Sequence, residues 1–161
     1  MYIVPGMVLI PQQDTMACWY ASAQMLVQWK RSMAQATLQN NPDPSELGET
    51  VSWEVSNTGV VNPQIIRLAQ LLGLRRVPPC SVTIDYLLSL LMSNGPLWTN
   101  GKSHITVIAG ADEEKKLIYV YDPWPPHVGR IEWRPFSSYV SGGNAARDTA
   151  SDAQATFLYN P

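Results

Sequence analysis

Charge is scarce in this sequence, and so are cysteine and histidine. Only 15 % of the 161 residues are charged, against roughly 25 % in an average globular chain. The net charge is −2. There is no basic patch of the kind that binds nucleic acid or an anionic membrane surface. Two cysteines cannot build a disulfide framework, and with two histidines they give no zinc-ligand spacing. A chain so poor in cysteine suits a reducing cytoplasm. The opening "MYIVPGMVLIPQ" has no positive n-region, and Pro5 and Pro11 interrupt its apolar run. The sequence therefore predicts neither a cleaved signal peptide nor a membrane span.

What is present suffices for one domain over residues 1–161, with a core of its own. Residues 1–12 read as extended. From Cys18 to about Ala36 no helix breaker occurs. Up to Val27 the apolar residues fall on every side, the mark of a buried helix. Asn62-Pro63 opens a second helix, which Gly73 closes. Thr83 caps a third, with Ile84, Leu87, Leu88 and Leu91 on one face and Asn94-Gly95 as the stop. After Pro96 the pattern becomes β-like: "HITVIAG", "KLIYVYD", "RIEW" and "ATFLY". Helices first and strands later predict an α+β fold, with helices packed on one side of a mostly antiparallel sheet. "SGGNAARDTASD" reads as a loop.

A lone cysteine on an apolar helix is ordinarily packing. Cys18, in "PQQDTMACWYAS", has three features that argue for more. It lies at a helix N-terminus, where unpaired N–H groups and the macrodipole favour a thiolate. Gln12 precedes it closely, and a side-chain amide can donate to an oxyanion. A base with a partner is also available. "HITVIAG" and "KLIYVYD", joined by "ADEEK", read as a β-hairpin. A turn centred on Glu113 sets residue 106 against 120 and His104 against Asp122. Paired residues there have Cβ atoms roughly 4.5–5.5 Å apart. An Asp beside a His fixes its tautomer and stabilises the imidazolium. His127 follows "PWPP" in a loop and reads as a surface residue. Cys80 reads as a bystander thiol, and Arg75-Arg76 as surface. Trp98 is either core or a wall of the cleft. As a wall it would narrow a groove beside Cys18 and favour glycine there.

The order Gln12, Cys18, His104, Asp122 resembles the papain-like cysteine peptidases. Trp19 after the Cys and Trp124 in "DPW" match that pattern too. "IPQQDTMACWYASAQML" and "GPLW…SHITVIAGAD…IYVYDPWPP" are similar to its small bacterial branch: effector, polymorphic-toxin and double-glycine-peptidase-like domains. The resemblance covers most of residues 8–126. It implies a Cys18–His104–Asp122 triad with Gln12 in the oxyanion hole and Trp124 shielding the His–Asp pair. It implies no metal or organic cofactor. It further implies a protein substrate, in the cytoplasm of a target cell into which the enzyme is delivered, and a cognate immunity protein that inhibits it.

The same triad also serves glutamine deamidation, transamidation and isopeptide cleavage, because all share the acyl-enzyme step. Those readings stay open, as does a bacteriocin-leader (double-glycine) peptidase. A non-catalytic binding shell is disfavoured by the presence of all four residues.

Overall fold

The computed structural model describes residues 1–33, 62–77, 82–100, 104–137 and 157–161. Cys80, the loop "LQNNPDPSELG" and "SGGNAARDTASD" lie outside them. The elements run β1 (Tyr2–Ile3), α1 (Cys18–Met33), α2 (Asn62–Leu72), β2 (Arg75–Arg76), α3 (Ile84–Asn94), β3 (Leu97–Asn100), β4 (Ile105–Asp112), β5 (Leu117–Asp122), β6 (Arg130–Pro135) and β7 (Phe157–Tyr159). The strands form one sheet in the order β2-β7-β3-β4-β5-β6, with β1 also pairing β4. Every pairing is antiparallel. The fold is α+β.

Each helix ends where its sequence dictates. The first half of α1 is apolar around its circumference, and Trp19, Ala21, Ala23, Met25, Leu26 and Val27 are all buried. Lys30 and Arg31 occupy its last turn, where cations complement the macrodipole. After α2, Gly73 takes φ 67°. Its N–H reaches Gln70 O, and Leu74 N–H reaches Ala69 O, the Schellman closure. Thr83 caps α3 by accepting from Tyr86 N–H at 3.2 Å. The apolar faces of the helices meet the sheet over Leu26, Leu68, Leu87, Leu91 and Trp98, all fully or almost fully buried.

β4 is the centre of the molecule and is buried at all eight positions. β5 takes one of its edges. β3 and β1 share the other, β3 against residues 105–108 and β1 against 110–111. Gly110 permits this, since a Cβ there would lie 2.8 Å from Tyr2 O.

Two strands escaped the sequence reading. β3 is only four residues long and follows a proline; its β character comes from partners on both sides rather than from a period of its own. Arg75-Arg76 is exposed, as expected, but it also forms the edge strand β2 against β7.

The hairpin register is also corrected. The turn is Glu113–Lys116, not one centred on Glu113. Asp112 fixes it: its Oδ1 accepts from Glu114 N–H at 3.1 Å and Lys115 N–H at 3.0 Å, while Lys116 takes φ 54°. Asp112 then pairs with Leu117, and an irregularity between Ile108 and Gly110 sets Ile108 against Val120 and Val107 against Tyr121. Thr106, not His104, is the position next in line against Asp122.

Gly95 ends α3 at φ 79°, its N–H on Leu91 O at 3.0 Å. The Trp29 ring lies against it, and a Cβ added there would sit 2.1 Å from Trp29 Cη2. Gly95→Ala should therefore lower stability by about 2 kcal/mol or more, through backbone strain and overpacking together. Urea unfolding measures this, and a near-neutral result would show that Trp29 can leave its place freely.

Candidate active site

The polar residues of the predicted site gather at one end of the sheet, and α1 brings the first of them. Cys18 is the first residue of the helix, and the Ala21 N–H reaches back to Ala17 O at 3.1 Å. Its own N–H is thus among the four that lack an intrahelical acceptor. Ser22 lies one turn on, at the i+4 position that shares a face with Cys18. Its Oγ donates to Ile105 O at 3.4 Å. On the neighbouring residue, Trp19 O accepts the Trp98 indole N–H at 3.1 Å. These two buried contacts tie the head of α1 to β3 and to the first residue of β4, beside His104.

His104 and Asp122 do meet, in spite of the corrected register. His104 Nε2 stands 2.6 Å from Asp122 Oδ1. His104 is one diagonal step from the position opposite Asp122, a spacing of roughly 7–8 Å that a long side chain can bridge on one sheet face. With Nε2 taken, Nδ1 is the ring nitrogen left for the Cys18 side chain, which lies close enough to influence the ring. Burial opposes a charge on His104. The hydrogen bond that the ring donates to Asp122 and then the influence of Cys18 overcome it, and the imidazole rises to about 9.

Asp122 ends β5 and is 5 % exposed. Its Oδ1 also accepts the Trp124 N–H at 2.9 Å. Its Oδ2 accepts Arg134 Nη2 at 2.6 Å. Burial would raise this carboxyl; the bonds from His104, Arg134 and Trp124 outweigh it and hold the carboxyl at about 2. Arg134 in turn bonds Glu132, Nε to Oε1 at 2.7 Å. Sequence reasoning missed both residues. The alternation in "RIEWR" sets Arg130, Glu132 and Arg134 on one strand face, but nothing local says that this face carries Asp122.

Gln12 is 1 % exposed and is clamped by the segment that follows Asp122. Its N–H donates to Pro123 O at 3.1 Å, and its carbonyl accepts the His127 N–H at 2.8 Å. Both amide hydrogens of its side chain go to backbone carbonyls, Asp14 O at 2.7 Å and Thr15 O at 3.0 Å. Its Oε1 is buried without a hydrogen-bond partner among the described residues. His127 is exposed, at φ 64°, with Nδ1 3.1 Å from Gln13 Oε1. Trp124 is 40 % exposed.

Of the two readings of Trp98, core or cleft wall, the structure gives the first. It is 0 % exposed and spends its N–H on Trp19 O. It is a core residue that docks α1, not an open cleft wall. The glycine preference inferred from it loses its structural basis.

A family model described as papain-like cysteine protease AvrRpt2 matches residues 3–140, a span that includes Gln12, Cys18, His104, Asp122 and Arg134. No curated protein matches the chain.

The two shifted groups make stability depend on pH with opposite signs. His104 binds its proton more tightly in the folded chain, about 9 against 6.5. Its contribution is complete below pH 6.5 and is lost as pH rises through 9. Asp122, at about 2 against 3.8, contributes above pH 3.8 and loses that contribution as pH falls through 2. The unfolding free energy of the wild type should therefore decline between pH 6.5 and 9, and His104→Gln should flatten that decline. Equal slopes in the two proteins would place the titration on another group.

Proposed function

The chain belongs to this papain-like cysteine protease family, which makes it a hydrolase acting on protein, and we propose that Cys18, His104 and Asp122 are its catalytic triad. One observation carries the assignment: a single imidazole is hydrogen-bonded to the Asp122 carboxylate and raised to about 9 by that carboxylate and by the only described thiol, at the head of a buried helix.

The chemistry follows from that arrangement. The Cys18 thiol gives its proton to His104, and the sulfur attacks the scissile carbonyl carbon. Asp122 holds the ring with Nε2 toward itself and stabilises the imidazolium that forms. The oxyanion receives the Cys18 N–H and a hydrogen of the Gln12 amide. For Gln12 this means exchanging its longer contact, to Thr15 O, for the substrate oxygen. Removing one such donor typically costs on the order of 100–1,000-fold in rate. His104 then protonates the leaving amine, and water, deprotonated by the same ring, clears the thioester. The resemblance gives Trp124, whose backbone N–H binds Asp122 Oδ1, the role of shielding the His–Asp pair. The site residues supply every proton transfer in this sequence.

The wider role is read from the resemblance to small bacterial effector and toxin domains. The substrate is a cytosolic protein of a cell into which the enzyme is delivered. A protease of this kind would harm the cell that makes it, so a dedicated inhibitor protein accompanies it there.

Expression of the wild type and of Cys18→Ala in candidate target cells, followed by proteome-wide mass spectrometry, tests the reading. New chain termini that appear only with the wild type are the expected result. Intact chains with altered glutamine side chains would instead make the enzyme a deamidase or transglutaminase. No difference between the two proteins would remove Cys18 from the chemistry.

A further inference from the structure

The proposed triad has two more members than its chemistry requires. Resting on that triad reading, we propose that Arg134 is a positioning residue: steered by Glu132, it holds the Asp122 carboxylate in the orientation from which Oδ1 binds His104.

The division of labour between the two carboxylate oxygens supports this. Oδ1 carries the His104 ring and the Trp124 N–H, and Oδ2 carries Arg134 alone. The terminal torsion of an aspartate is broad and two-fold. A nearly buried carboxylate with one unoccupied oxygen could turn, and the hydrogen bond to His104 would turn with it. Arg134 on Oδ2 opposes that rotation.

The guanidinium reaches this place from a distance. In the β5–β6 ladder Asp122 pairs with Arg130, Val120 with Glu132, and Ile118 with Arg134. Arg130 is thus the arginine set opposite Asp122, yet the ion pair is made by Arg134. Its side chain runs along the sheet face past Glu132 to the end of β5. Immobilising so long a side chain costs conformational entropy. Glu132 offsets this by guiding it: one oxygen, Oε1, takes both Nε at 2.7 Å and Nη2 at 2.5 Å. The planar fork of arginine suits such a role, and a lysine ammonium could not reproduce it.

The charges are also balanced for catalysis. A lone cation on Asp122 would weaken the carboxylate's pull on the imidazolium. Glu132 compensates, so that Asp122, Arg134 and Glu132 together face His104 with one net negative charge. His104 and Arg134 contact Asp122, Arg130 pairs with it across the ladder, and Glu132 reaches it through Arg134. A purely structural staple would be redundant here, because β5 and β6 already pair over six residue couples.

The test is the rate at which iodoacetamide alkylates Cys18 at pH 6, with thermal unfolding followed in parallel. This readout needs no protein substrate. Arg134→Ala should slow alkylation by about tenfold, the loss expected when a hydrogen bond to a charged group no longer orients the pair. Millimolar guanidinium should restore part of the rate. Arg134→Lys should fall between Arg134→Ala and the wild type, and Arg130→Gln should match the wild type. If Arg134→Ala keeps the wild-type rate and only melts earlier, Arg134 is a staple and the proposal is wrong. If Arg134→Ala does not fold, Arg134→Lys decides alone, and a wild-type rate in it overturns the proposal. The wild type separates the two claims. Fast alkylation at pH 6 in every protein defeats only the role of Arg134. A wild-type Cys18 no faster than the same thiol in urea defeats the triad and this inference with it.

Discussion

The hydrogen bond of 2.6 Å between His104 Nε2 and Asp122 Oδ1 is the contact on which the site depends. It fixes which ring nitrogen faces the thiol. It also lets a half-buried imidazole carry charge where burial alone would remove it. The sheet geometry is arranged around it. The four-residue turn at Glu113–Lys116 and the irregularity near Ala109 leave Asp122 at the end of β5, one diagonal step from His104. A slip of one residue in either strand would turn one of the two side chains to the other face of the sheet.

The rest of the fold brings the thiol to that pair and keeps it there. Ser22 and Trp98 each spend a buried polar group on docking the head of α1 to β3 and β4. Such groups are costly when left unpaired, so these contacts define one depth and one rotation for the helix. The segment after Asp122 does the same for Gln12 through two backbone hydrogen bonds. The proposed nucleophile, base, orienting carboxylate and oxyanion donor thus come from four stretches of chain. Central strand β4 and its neighbours hold them in one frame.

Much of this was legible in the sequence, for local reasons. The start of α1 at Cys18, the Thr83 cap, the Gly73 and Gly95 stops and the two long strands each follow from neighbours within a few residues. Features set by partners far along the chain were not legible. β3 owes its strand state to β4 and β7, and Trp98 its burial to the backbone of Trp19. The hairpin register turned on a side chain, Asp112, capping the turn. Asp122 was named correctly as the partner of His104 from an incorrect register, because a diagonal neighbour lies within reach as well as a direct one. Arg134 was missed because its target lies four positions away along the adjacent strand, a distance no local pattern encodes.

The most direct measurement is an NMR titration of the His104 ring protons, in a His127→Ala background so that one histidine remains. The account predicts an apparent midpoint near 9, falling toward the ordinary value of 6.5 when Asp122 is replaced by Asn. A midpoint at or below 6.5 in the protein with Asp122 intact would mean that burial prevails over the carboxylate. The imidazolium at the centre of this account would then not exist at neutral pH.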